Sequence, residues 1–334
     1  MLAWARHARR SAGPLVALFI VSAFFSVADL VQDGAGNFNS FGSTRLIGVQ
    51  SVKIAFADLG MTLIIVSGGI DLSVGTAAAL CGCVAAFALN SGLSIVPAIG
   101  CAILSGAAGG LLNGVLISIL RLIPFIITLG TMTVFLGIGK TIAEDGGTIR
   151  PPDGSVPAWL EAMVTPFPEQ MWIAWPVIPN FGRGVWLVLA LAILVTIILY
   201  RTVVGRHLFP ISFSEATARL CGVPVTKTKL MIYTIAGAFV GLAGVVDLAR
   251  LGKGDASAGM GLELQIIAAV INGGGSLSGG RGSVLGTLCG VLIIGVISRG
   301  GTALGLKNQV EDILLGVIII IAAVFVDSLR TRAK

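Results

Sequence analysis

The stretch IIVSGGIDLSVGTAAALCG, residues 64–82, decides how the chain is read. Apolar runs flank it, yet it carries a carboxylate, Asp71, among Gly68, Gly69 and Gly75. A charged Asp at the middle of an isolated spanning helix costs roughly 2.5–3.5 kcal/mol on insertion scales. A break in the helix lowers that cost. Glycines end helices because they accept left-handed backbone angles, and Asp or Ser begins them by capping free amides. The stretch therefore reads as helix, break and helix, with Asp71 accepting the amides of Ser73 or Val74 while its charge favours the positive helix end.

The pattern returns later in the chain. GGIDLSVG at 68–75 and GGGSLSGG at 273–280 agree at five of eight positions, which puts Asp71 and Ser276 in equivalent places. Leu262 to Asn272, about eleven residues, lead into the second break. That is roughly half a bilayer at 1.5 Å per residue, so the second break is expected to be recessed in the membrane. Paired glycine-interrupted segments point to a transport pathway, because irregular backbone survives at depth only where it lines a cavity or is covered by protein.

Composition agrees. Of 334 residues, 55% are hydrophobic and 11% charged, against about a quarter charged in soluble domains. A span takes about 20 apolar residues, and ten would leave short loops and no soluble catalytic domain. The chain reads as one all-α membrane domain, 1–334, with spans near 14–31, 46–67, 71–90, 94–120, 123–143, 184–200, 229–250, 262–280, 283–298 and 309–327. Arg6, Arg9 and Arg10 open the chain, and Arg330, Arg332 and Lys334 close it. Arg201, Arg206, Arg219 and Lys227 crowd the loop 201–228, with Lys229 at its edge. The positive-inside rule puts both termini and this loop in the cytoplasm. The runs 46–67 and 72–90 then set the first break toward the cytoplasmic side, which suits a gate.

The longest outer loop, 144–183, holds seven prolines and three tryptophans, of which Trp172 and Trp175 suit the membrane interface. Such a loop docks a partner or is a plain surface loop, and the two readings weigh equally. The N-terminus imitates a signal peptide through the run 14–28 and Ser26-Val27-Ala28, but an uncleaved first helix is the simpler account. Gly106, Gly110 and Gly114, then Gly237 and Gly241, then Gly282, Gly286 and Gly290 form small-xxx-small rows that predict close helix packing.

Other chemistries find little support. The net charge of +6 comes without a Lys/Arg cluster or aromatic platform for nucleic acid. Cys81-x-Cys83 resembles a metal pair, but the two side chains diverge around a helix. With Cys101, Cys221 and Cys289 they read as small hydrophobes. His7 and His207 lie beside basic residues. Gly139-Lys140-Thr141 resembles the end of a phosphate loop, but Val134 stands where that loop needs glycine. Acids in apolar runs are few, chiefly Asp58, Asp71, Asp247 and Glu263. An ion-driven carrier usually shows more. The chain reads as a conduit without its own energy source.

Four blocks then become familiar: GMTLIIVSGGIDLSVG (60–75), PFIITLGTMTVFLGIGK (124–140), GVPVTKTKLMIYTIAGAFVGLAGVV (222–246) and LELQIIAAVINGGGSLSGGRGSVLGTLCGVLI (262–293). In order, from about residue 46 to the C-terminus, the chain resembles the permease subunits of bacterial ABC importers for ribose, xylose, galactofuranose and related carbohydrates. The resemblance implies ten helices with both termini cytoplasmic in the bacterial inner membrane. It implies a second permease copy or a related permease, a cytoplasmic ATPase and a periplasmic sugar-binding protein. No cofactor would be bound by this chain, because ATP and Mg would sit on the ATPase. A coupling helix docking that ATPase is expected at SEATARLCGVPVTKTK (214–229), where Glu215, Arg219 and Gly222 fall at the family's pattern. The competing reading is a solvated loop with a Glu–Arg pair at i,i+4. The family's Gly-Gly-Asn turn is replaced here by Ser212, Phe213 and Ser214 after Pro210, which bears on how the loop meets the ATPase.

The expected activity is import of a monosaccharide or related polyol. An ion-coupled secondary carrier is the runner-up and a passive facilitator the third reading. The expected pathway or gate residues are Gly68, Gly69, Asp71, Ser73, Gly75, Asn113, Thr128, Thr131, Glu263, Gln265, Asn272 and Ser276. For the two threonines, bonding back to a helix carbonyl is the plainer account.

Overall fold

The computed structural model describes residues 2–31, 38–143, 145–165, 182–277, 279–307, 309–310, 313 and 316–317. Helices α1 (Leu2–Val31), α2 (Phe41–Val66), α3 (Val74–Asn90), α4 (Ile95–Ser118) and α5 (Pro124–Ala143) come first, and α6 (Ala158–Glu161) is a single turn. Then follow α7 (Arg183–Arg201), α8 (Val203–Phe213), α9 (Glu215–Leu220), α10 (Val225–Leu251), α11 (Leu262–Asn272) and α12 (Val284–Ala303). The helical reading departs in one place: β1 (Thr148–Ile149) pairs antiparallel with β2 (Gly254–Asp255). Among the described residues, seven helices are long and apolar enough to cross a membrane, and α3 and α11 are shorter apolar helices. Trp172, Trp175 and most of the expected last span, 309–327, lie outside the described residues, as do the charged tails' side chains.

Serine and threonine start several helices. Ser40 accepts the Ser43 amide at 3.1 Å, Ser214 that of Thr217 at 3.2 Å, and Ser283 that of Gly286 at 3.0 Å. Each satisfies an amide that the first helical turn leaves free. Pro210 lies inside α8 without ending it. Gly139 and Lys140 stand in the interior of α5, so that segment is helix, not a phosphate-binding loop.

α2 is the central post, buried along nearly its whole length, with Phe56, Leu59, Met61, Leu63, Ile64 and Ile65 in the core. In lipid, apolar burial alone does not drive helices together, so close backbone approach carries the packing. The glycine rows supply it. A side chain at Gly106 would strike the Gly241 backbone at 2.8 Å, and one at Gly114 the Leu230 backbone at 3.2 Å, so α4 lies directly on α10. Gly82 faces Gly244 across α3 and α10, and Gly273 faces Gly286 across α11 and α12.

The half-length α11 falls short at the end opposite the one expected. Its break meets the end of α2, where the Gly280 amide donates to the Val66 carbonyl at 3.0 Å. The break is therefore level with the first one, not recessed. The N-terminal end of α11 stops short instead: Gly259 and Glu263 lie against Gly75, the first turn of α3. Gly82, seven residues further along α3, contacts Gly244. Gly75 is thus about 10 Å from the level of Gly244, near the middle of α10. Segment 252–261 descends to that level from the end carrying the ribbon of β1 and β2. Sequence length revealed a half helix but not which end was missing.

Candidate functional site

Asp71 sits between α2 and α3 with its oxygens shared among three donors. Oδ1 accepts the Ser73 amide at 2.8 Å and the Ser73 hydroxyl at 2.6 Å, and Oδ2 faces Asn113 Nδ2 of α4 at 3.4 Å. The same Nδ2 donates to Ser73 Oγ at 2.9 Å. All three side chains are buried. Asp71 takes the Ser73 amide as expected, although Ser73 itself occupies the N-cap position and makes no side-chain cap. The result is a small polar knot tying the first break to α4. Asn113 Oδ1 is buried there without a partner. So is the Tyr233 hydroxyl of α10, which would lie 2.7 Å from a Cβ on Gly69. Buried polar atoms without protein partners are uncommon in native proteins, and each calls for an explanation.

The remaining expected residues divide. Glu263 joins the first break, because a Cβ on Gly75 would lie 2.6 Å from its Oε2. Glu263 Oε1 accepts the Gly261 amide at 3.2 Å, whereas Oε2 is buried without a partner. Asn272 Oδ1 is likewise unpartnered at the end of α11, and Gln265 is half-buried on the same helix. The Ser276 amide donates to the Arg281 carbonyl at 3.1 Å, which closes the second break on itself. Thr128 and Thr131 bond back to the carbonyls of Pro124 and Thr128, at 2.9 and 3.3 Å. Both hydroxyls bond within their own helix, as the plainer of their two readings has it.

A second assembly forms where the breaks meet α8. Gly68, at φ +84, lies against Ser212, and a Cβ on Gly279 would strike both the Gly68 backbone and Ser212 Cβ at 2.7 Å. Gly280 faces Ser212 and Phe213. Both glycine breaks thus close around the end of α8. After Ser214 comes α9, whose last residue, Leu220, is 89% exposed, while Phe213 at the end of α8 is 81% exposed. Glu215 pairs with Arg219 at 3.5 Å, the expected i,i+4 contact, and also with Lys229 of α10. Gly222 takes φ +81 and donates to the Arg219 carbonyl, which ends α9 as a left-handed residue does. Cys221 beside it is exposed.

Two polar residues of this architecture are absent from the sequence reading. Tyr233 is one of only two tyrosines in the chain and interrupts an apolar helix, a signal that was legible. Lys53 is buried on α2 and pairs with Asp247 of α10 at 2.6 Å. A lysine within an apolar run calls for an acid at matching depth, and Asp247 is one of few candidates. At the far end, the Ser257 hydroxyl, followed by Lys253 at 3.1 Å, holds the Asp255 carboxyl below the usual carboxylate range. Among the described residues, no cluster of His, Cys, Asp and Glu could hold a metal ion.

Comparison with known proteins places this architecture. The family described as branched-chain amino acid transport system / permease component matches residues 45–323. The ribose import permease protein RbsC of Bacillus subtilis is 38% identical over 292 residues, covering 85% of this chain and 82% of that protein. RbsC of Escherichia coli K12 is 33% identical over 306 residues, with 88% and 85% covered. The fructose import permease protein FrcC of Rhizobium meliloti is 33% identical over 290 residues, with 86% and 77% covered. No solved structure matches the chain. A bundle of long apolar helices, opened by two glycine breaks and matched over most of its length, belongs to the family of transport-system permease components.

Proposed function

We propose that the chain is the membrane subunit of an ATP-driven importer for a monosaccharide or related polyol in the bacterial inner membrane, energised by a separate ATPase. Two lines support this. The relatives that match most of the chain are named as ribose and fructose import permeases. The observation that carries the mechanism is the seating of the end of α8, which leads into α9, against both glycine breaks, with Phe213 and Leu220 left exposed. In this reading ten spans run with both termini cytoplasmic, and α9 is the coupling helix that enters the ATPase, where ATP and Mg bind. Two permease chains and a periplasmic sugar-binding protein complete the importer.

Movement of α9 would reach the breaks through Ser212 and draw on the Asp71 knot, which acts as an inner gate. Beyond it, Glu263, Gln265 and Asn272 on the half helix α11 offer groups that bond sugar hydroxyls. Few such groups are needed. Tight binding inside the bundle would slow release, so affinity resides in the external binding protein.

The test is reconstitution in vesicles, with and without the ATPase and the binding protein. Concentrative uptake should require both partners and ATP. Uptake by the permease alone, abolished by a protonophore, would establish an ion-coupled carrier instead. Downhill flux alone would establish a facilitator.

A further inference from the structure

The ion pair between Lys53 and Asp247 lies far from α9 and plays no part in the gate described above. Lys53 Nζ meets Asp247 Oδ2 at 2.6 Å and the Ala258 carbonyl at 3.4 Å. One ammonium therefore joins α2, α10 and the descending segment 252–261. Both partners of the pair are buried, at 9% and 4% side-chain exposure. The other Asp247 oxygen takes Arg250 at 3.3 Å, whose own side chain is 53% exposed.

A buried pair of this kind is a poor stabilising device, because desolvating two charges offsets their attraction, and apolar replacements often serve as well. Its better-attested use is to hold one arrangement among several. Segment 252–261 has other anchors as well: Ala256 is buried with Cys83 and Ala143, and a side chain at Gly254 would press the Cys83 backbone at 2.8 Å. Its upper part hangs from the ribbon, where the Ala256 amide donates to the Gly147 carbonyl at 2.9 Å. Its lower part rests on α3, where a side chain at Gly259 would press Ala79 at 3.2 Å. Between them stands Lys53. Directly below, Glu263 abuts Gly75, two residues from Ser73 of the polar knot.

We propose that Lys53, Asp247 and the Ala258 carbonyl form a latch in the half of the bundle away from α9, holding segment 252–261 against α2 and α10 until a partner docked on the ribbon draws it away. Lys53 and Asp247 are positioning residues that touch no substrate. Under the importer reading, on which the partner's identity rests, that partner is the sugar-binding protein. Release would free Gly259 from Gly75 and carry the change to the inner gate. α10 then links both halves of the molecule, through Lys229 and Glu215 in one and Asp247 and Lys53 in the other.

The experiment compares Lys53→Met, Asp247→Leu and the double variant, reconstituted with the ATPase and binding protein. Asp247→Leu strands the buried Lys53 ammonium, Lys53→Met leaves Asp247 with only the half-exposed Arg250, and each should lose folded yield. The double variant removes both charges, leaves Arg250 to solvent and should fold as wild type. A latch predicts that its uptake falls at least tenfold while ATP hydrolysis no longer depends on the binding protein. Wild-type uptake with hydrolysis still dependent on the binding protein would reduce the pair to a structural contact and overturn the latch. Hydrogen exchange on the unaltered chain gives a second reading that needs no variant. Docking of the binding protein should raise exchange across segment 252–261, and unchanged exchange there overturns the proposal. If the unaltered chain shows no uptake that depends on the binding protein, the importer reading falls and takes the latch with it.

Discussion

At position 71 an amide can replace the carboxylate while keeping the hydrogen bonds that shape the turn. Its oxygen would still accept the Ser73 amide and hydroxyl, and its nitrogen could donate to the unpartnered Asn113 Oδ1 after that side chain turns over. Alanine leaves two buried donors without an acceptor, at about 1–3 kcal/mol each. Asp71→Ala should therefore lower folded yield and melting temperature, whereas Asp71→Asn should hold both near wild type. The gate role predicts that Asp71→Asn assembles but loses transport. Full transport by the Asn variant would confine Asp71 to capping. Much of this knot was legible in sequence, since an acid between glycines in an apolar run has few uses. Its closure by Asn113 and the approach of Tyr233 were not. Both come from helices whose rotation about the break depends on glycine contacts that a single sequence does not orient.

At the scale of elements, α9 carries the pair of the solvated-loop reading and one contact more. Glu215 makes the predicted i,i+4 pair, yet exposed pairs of this kind are worth little, and its second partner Lys229 belongs to α10. The exposed residues of interest are Phe213 and Leu220, because apolar side chains of this size stand outward at a charged helical tip. Leu220→Asp should leave the permease inserted and monodisperse but cut co-purification of the ATPase at least fivefold. Undiminished co-purification would return α9 to the loop reading. The sequence marked this helix through its capping serine and closing glycine. It did not mark the seat of α8 against both breaks, because residues 68, 212 and 279 are joined only in three dimensions. The position of α11 was misjudged for a related reason: hydropathy measures how much helix is present and not where it begins.

Across the whole molecule, glycine sets how closely the helices lie, and its effect should depend on which side it faces. Gly237 of α10 faces α4, where a Cβ would meet the Gly110 backbone at 3.0 Å, while a Cβ on Gly137 of α5 meets nothing within 4 Å. Gly237→Ala should cost about 1–3 kcal/mol through overpacking, lowering the melting temperature in detergent. Gly137→Ala should be neutral or slightly stabilising, as glycine-to-alanine changes in helices are when space allows. Equal shifts in the two variants would show that these rows do not govern packing. The rows themselves were read from spacing alone, and their partners on α4 and α10 emerged as that spacing implies. Asp247 stood out as an acid in an apolar run, but its pairing with Lys53 did not, because the two meet across the bundle from helices far apart in sequence.

Cys221 closes α9 in solvent, while Cys81 and Cys83 are buried and Cys101 and Cys289 are half-buried. A charged, water-soluble maleimide therefore finds one favoured thiol, at the tip that carries Leu220. The native chain thus comes with a built-in reporter. Occlusion of that thiol would register the arrival of a protein at α9, and a dye placed there would follow the helix through a transport cycle without any engineered residue.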